Sequence, residues 1–300
     1  MNEPGTPVIE VEKLNVWFGK RHILHDVDFH VNSGEIRVIM GGSGSGKSTL
    51  LRHLLGLLRP QSGTVRILGT DVRNAGPEEM LKLRRQMGVS FQGGALFTSM
   101  TIGENVALPL REHTELDENT VRIMSRLKLE VVNLGGFQDL MPSQLSGGMI
   151  KRAALARAIV MDPRLLFFDE PSAGLDPVVS AELDELILRL RDALRMTIVV
   201  VTHELESAFK IADTITVLDK GYNLKTGTVA EVRALTGVGA EKAGNKDGSI
   251  PAFSGKWLGT PPGVDYKSTT GQHPVDPYAA DKPLFSITAA DYQKFADKLS

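Results

Sequence analysis

The run Gly41-Gly42-Ser43-Gly44-Ser45-Gly46-Lys47-Ser48 fits the pattern G-x-x-x-x-G-K-[ST], a set of residue types that can cradle a polyphosphate. Glycines allow successive backbone N–H groups to turn inward on an anion, and a helix starting at the end of the run adds the positive end of its dipole. Lys47 would bridge the β- and γ-phosphates, the hydroxyl of Ser48 would be a Mg2+ ligand, and Thr49 continues the run into the helix. A glycine-rich turn that only caps a helix is the bland alternative. It leaves a lysine and a serine after the last glycine without a purpose.

Two carboxylates, Asp169-Glu170, follow the apolar run Leu165-Leu166-Phe167-Phe168. Asp169 could hold Mg2+ directly or through water, and Glu170 could polarise the water that attacks the γ-phosphate. In isolation such a pair reads as a helix N-cap or a solvated turn; the phosphate loop upstream favours chemistry. His203 also ends an apolar run and could reach the γ-phosphate and its attacking water, although a lone histidine is more often a satisfied polar residue. Gln92, in Ser90-Phe91-Gln92-Gly93-Gly94, could serve as a neutral ligand for Mg2+ and water.

Strands must end where these groups begin. Apolar strand-like runs do alternate with helical patterns: 35–40 and then a helix from about 47; 165–168 and then 178–194; 197–201 and then 204–212. Such alternation predicts an α/β fold around a buried parallel sheet, with ligands at the C-terminal ends of the strands. Segments 8–18, 26–31, 64–68 and 214–218 read as shorter antiparallel strands, and 100–160 as mostly helical. There is no internal repeat and no long coiled coil.

With 300 residues and 42% hydrophobic side chains, the chain suits one large domain or two small ones. The absence of cysteine excludes disulfide scaffolds and cysteine-ligated zinc. A net charge of -2 argues against a bulk polyanion-binding surface, so no nucleic-acid partner is expected. Met1-Asn2-Glu3-Pro4-Gly5 lacks a basic segment with an apolar core behind it, so a cytosolic chain without a secretory leader is expected. No run approaches the roughly 18 apolar residues of a membrane-spanning helix, which leaves any membrane crossing to another subunit.

Leu145-Ser146-Gly147-Gly148-Met149 stands twenty residues before the acidic strand. With the phosphate loop, Gln92, Asp169-Glu170, Ser172-Ala173-Gly174-Leu175-Asp176 and His203, in that family's order, it resembles an ATP-binding cassette (ABC) ATPase over roughly residues 8–237. The resemblance implies a P-loop NTPase core with a parallel sheet, an antiparallel β subdomain and a helical signature subdomain at about 93–160. It implies ATP and Mg2+ as cofactors, ATP hydrolysis coupled to transport, and a head-to-tail homodimer. In such a dimer Ser146, Gly147 and Gly148 bind the γ-phosphate held by the other subunit, and Asp176 contacts that subunit. A serine N-cap alone would not call for two glycines at a helix start, each costing about 1 kcal/mol relative to alanine. The family also stacks an aromatic ring on adenine; Phe18, followed by Gly19, matches best, with Trp17 as rival and a core role open for either.

A narrower resemblance lies in Gly93-Gly94-Ala95-Leu96-Phe97-Thr98-Ser99-Met100, in Asn105-Val106-Ala107-Leu108-Pro109-Leu110-Arg111-Glu112-His113-Thr114, and in the helix after the signature, with Met149 where many importers place glutamine. These look like the ATPase subunit of phospholipid transporters that work with mammalian-cell-entry (MCE) proteins. That resemblance implies two permease copies above a homodimer, an MCE protein beyond them, a small STAS-domain subunit in many cases, and a peripheral place on the cytoplasmic face of the inner membrane. Pro109 to Thr114 could instead be a helix break with a solvated charged turn. Two other functions compete: an importer or exporter of a small polar solute, and a non-transport cassette ATPase acting on ribosomes or DNA. The latter usually has paired cassettes, zinc-binding cysteines or a coiled-coil insertion, none of which is present here.

Composition changes near residue 237, after residues 1–7 as an N-terminal tail and 8–237 as the ATP-binding domain. Residues 238–300 hold six of fifteen prolines, no arginine and seven of seventeen aromatics. This extension is expected either to lie on the neighbouring subunit with its aromatics as anchors or to be disordered, ending in a short helix over 288–299.

Overall fold

The structure, a computed structural model, describes residues 5–234. The expectations for the extension and its short helix lie outside those residues.

Strands β1 (Pro7–Phe18) and β2 (Arg21–Asn32) form an antiparallel hairpin turning at Gly19. Then β3 (Ile36–Met40) runs through the glycine-rich loop into α1 (Lys47–Leu54). Short strands β4 (Ser62–Ile67) and β5 (Thr70–Asp71) extend the hairpin, and α2 (Pro77–Arg84) leads to β6 (Met87–Ser90). A helical excursion follows: α3 (Ile102–His113), α4 (Glu118–Val131), one 3-10 turn (Pro142–Gln144) and α5 (Gly147–Ala158). The chain returns as β7 (Leu165–Asp169), α6 (Pro177–Leu194), β8 (Thr197–Thr202), α7 (Leu205–Ile211), β9 (Thr214–Asp219), β10 (Tyr222–Thr228) and α8 (Val229–Arg233).

All ten strands join one sheet in the order β5-β4-β1-β2-β10-β9-β3-β8-β7-β6. The half from β9 to β6 is parallel, and the half from β5 to β2 is antiparallel. Parallel strands are apolar without alternation because both faces are covered. On β7, Leu166 and Phe168 enter one core with α3, α5 and α6, while Leu165 and Phe167 enter the other with α1 and the antiparallel strands. Strands β3 and β8 divide in the same way, with Val38 and Val200 facing the first core and Ile39 and Val201 the second.

Two local expectations need correction, and one strand had no counterpart in the sequence reading. Segment 214–218 is not simply antiparallel: β9 pairs parallel with β3 and antiparallel with β10. Strand β10 carries Asn, Lys, Thr and Gly on a largely exposed ribbon, so it offered no apolar pattern to read. Helix α3 runs through Pro109 to His113 rather than breaking there. Its start is held by a capping box between Thr101 and Glu104, and the exposed turn that follows is pinned by the ion pair Arg111–Glu118.

Strand order is what assembles the site. Because β3, β8, β7 and β6 are consecutive parallel neighbours, the phosphate loop, His203, Asp169-Glu170 and Gln92 all emerge at one C-terminal edge.

Candidate nucleotide site

The loop after β3 is shaped by close approaches. A Cβ on Gly41 would lie 2.3 Å from the Leu218 carbonyl oxygen and 2.5 Å from Ser45 Oγ, and Gly46 has φ +101° with Leu24 against it. Lys47, 8% exposed, donates to the carbonyl oxygens of Gly41 (2.7 Å) and Gly42 (3.1 Å), so its ammonium lies inside the curl of the loop. The hydroxyl of Ser45 is buried there without a protein partner. Ser43, Gly44 and Ser48 are exposed on the same turn, and Thr49 is half-buried, its carbonyl accepting from His53 Nδ1.

Glu170 stands at the end of β7 in the left-handed region, at φ +49°. A non-glycine residue there costs of order 1–3 kcal/mol and persists only where its surroundings impose it. Here they do: the Glu170 N–H donates to the Val201 carbonyl at 2.8 Å, and its carboxylate oxygen Oε2 accepts from the His203 N–H at 3.3 Å and lies 2.9 Å from His203 Nδ1. The other oxygen, Oε1, is 4.0 Å from Lys47 Nζ. Asp169, half-buried, has its carboxyl pKa raised by burial and by Glu170, against the opposing pull of Lys47, Arg52 and Lys151. This carboxylate pair therefore calls for positive charge.

Gln92 is exposed at the start of the loop leaving β6, a loop on which Phe91 and Phe97 are also exposed. Ser146 caps α5, accepting from the Met149 N–H at 3.3 Å, and both Ser146 and Gly147 face outward. Gly148 differs, for a Cβ there would stand 2.6 Å from Val179 Cγ1 on α6. Packing alone therefore demands one of the two signature glycines, a reason the sequence did not show. The Asp176 carboxylate caps α6 by accepting from Val178 N and Val179 N at 3.0 and 3.1 Å, while remaining exposed. The Trp17 ring is stacked on His22 with centroids 4.2 Å apart, whereas Phe18 is 50% exposed at the end of β1.

A sequence profile described as ABC transporter matches residues 24–173. The intermembrane phospholipid transport system ATP-binding protein MlaF of Haemophilus influenzae is 47% identical over 206 residues, 69% of this chain and 78% of that protein. The chain belongs to the ABC transporter family. As a member of it, this protein is an ATPase that couples hydrolysis to transport. The probable ribonucleotide transport ATP-binding protein mkl of Mycobacterium leprae is 44% identical over 72% of this chain and 62% of its own length. Among solved structures, a dimeric post-hydrolysis state of the ATP-binding cassette MJ0796 with ADP and Pi is similar at a TM-score of 0.68 and 30% identity, covering 74% of this chain and 98% of that one.

The residues of this ABC ATPase fit ATP and Mg2+. A buried, partnerless serine hydroxyl and a lysine ammonium inside a glycine curl are donors suited to phosphate oxygens. Ser48, Gln92 and Asp169 would supply oxygen donors with one carboxylate among them, a chemistry that suits Mg2+ held jointly with phosphates.

Sequence reasoning missed Lys151, Arg157 and Asn105. Lys151 is buried and donates to the carbonyl oxygens of Gln92 and Glu170, and Arg157 donates to those of Gly94 and Ala95 at 2.9 and 2.8 Å. Asn105 holds both backbone groups of Phe97. One signal existed: Lys151 falls three residues after Gly148 and four before Leu155, on the buried face of α5, where a lysine is out of place.

Proposed function

We propose that this chain powers the movement of phospholipid, or another hydrophobic lipid, through a separate membrane permease, with an MCE-type protein and in some assemblies a STAS-domain subunit as partners. The observation that carries this reading is the 47% identity to the H. influenzae phospholipid-transport ATPase across most of that protein. Among the described residues no helix is long and apolar enough to cross a membrane, which agrees with a peripheral subunit held at the cytoplasmic face by its permease. In this reading Lys47 and the loop 41–49 bind the phosphates, Ser48, Gln92 and Asp169 hold Mg2+, Glu170 activates water and His203 orients it toward the γ-phosphate. Two copies pair head to tail, placing Ser146, Gly147, Gly148 and Asp176 of each against the nucleotide of the other; the dimeric MJ0796 cassette and the outward-facing Ser146 and Gly147 support it.

Phe18 is the adenine platform in this scheme, since the Trp17 ring is engaged with His22. Phe18→Ala is expected to raise the KM for ATP about tenfold, the scale of stacking one base on an aromatic ring, with kcat little changed. An unchanged KM in a steady-state hydrolysis assay would remove Phe18 from the site.

The loop after Gln92 should carry the response of the site to the permease, and Phe97, 52% exposed, is its apolar tip. In proteoliposomes holding the assembled complex, Phe97→Ala together with Glu112→Ala should reduce lipid transfer several-fold while leaving phosphate release by the isolated subunit within about twofold, because neither side chain touches nucleotide. Equal losses in both assays would make this segment a structural element instead. The M. leprae relative's name favours one other cargo, so labelled ribonucleotide belongs in the same vesicles. Uptake of nucleotide without lipid movement would reverse the assignment.

A further inference from the structure

Lys151 joins two parts of the site that belong to different elements. Its ammonium sits in the second turn of α5, and its two hydrogen bonds go to main-chain carbonyls rather than to a carboxylate: Gln92 O, and Glu170 O at 3.3 Å. Burying a lysine is unfavourable unless its donors are satisfied in fixed positions, so these contacts have a definite geometry. Arg157, further along the same helix, holds Gly94 O and Ala95 O. Between them the two cations fasten the loop 92–95 to α5. Only Lys151 also reaches Glu170.

That second contact bears on where the Glu170 carboxylate points. The backbone of Glu170 is in the left-handed region, and its N–H is already fixed by the Val201 carbonyl on β8. Its carbonyl accepts from Lys151 Nζ and from the Ala173 N–H, each at 3.3 Å. With both peptide groups flanking one residue held, φ and ψ are imposed, and the side chain is delivered to His203 and toward Lys47. Loss of the ammonium would leave that carbonyl with the Ala173 N–H alone, loosening the peptide, and would free the Gln92 carbonyl in the same step.

We propose that Lys151 is a positioning residue for ATP hydrolysis, holding the main chains of Glu170 and Gln92 in one geometry from the signature helix. The inference rests on the reading of Glu170 as the group that activates water.

The test uses the purified full-length chain with ATP and Mg2+, comparing Lys151→Met, Lys151→Arg, Glu170→Gln and the double variant Lys151→Met/Glu170→Gln. Lys151→Met is expected to lower kcat about tenfold or more with KM for ATP changed less than about threefold, the pattern of an interaction needed only for turnover. Arginine should restore kcat to within about threefold of the parent, since it keeps the charge and the donors. The double variant should hydrolyse ATP no slower than Glu170→Gln within about twofold, because residues acting through one another are not additive. Thermal melting of each variant accompanies the assays, and Lys151→Gln, which keeps donors without charge, replaces the methionine variant if that one melts early. Parental kcat in both neutral variants overturns the inference. So does a loss that arginine fails to restore in a variant melting like the parent, a parallel rise in KM, or a double variant in which the two losses multiply. If Glu170→Gln itself turns over normally, the Glu170 reading fails; slow Glu170→Gln with normal Lys151→Met defeats only the present inference.

Discussion

Lys47→Ala is expected to abolish ATP hydrolysis, with turnover at least about 100-fold below the parent and tight nucleotide binding lost, because the phosphates lose their principal side-chain counter-charge. The parent lysine stands inside the loop, bonded to two of its carbonyls and 4.0 Å from Glu170. The fold should survive, since the ammonium hydrogen-bonds only within the loop, its ion pair reaches only Glu170, and the cores on both faces of the sheet remain intact. Circular dichroism and melting would then match the parent while phosphate release falls to background. Normal turnover in a folded variant would show that this loop is not where ATP is held.

Glu170→Gln should separate binding from chemistry. Glutamine keeps the shape and can still accept the His203 N–H, but it cannot take a proton from water, so hydrolysis should fall roughly 100-fold or more while ATP binding persists. Persisting ATP would remain between Lys47 of one subunit and Ser146 of the other. The variant should therefore elute as a dimer from size exclusion in ATP and Mg2+ and as a monomer in ADP. Monomer under both conditions, from a folded variant that binds ATP, would count against a composite site.

What the sequence determined by itself is what short spacing and side-chain type can specify. A glycine-rich octet ending in Lys47-Ser48 works as a phosphate loop wherever a strand and a helix flank it, and both flanks are local. Uninterrupted apolar runs ending in Asp169-Glu170 and Thr202-His203 announced strands buried on both faces and the groups at their ends. Only the tertiary structure decided the rest, because it depends on which segments become neighbours. Sheet order placed β8 between β3 and β7 and so set His203 against Glu170. Strand β10, with no apolar rhythm of its own, took its place by pairing with β9. Gly148 proved necessary for the approach of α6, and Lys151, one basic residue among several on α5, was turned inward by helix packing onto two carbonyls 78 residues apart in the chain. Contacts between such distant segments leave no spacing to read, since they are set by how the helices cover the sheet.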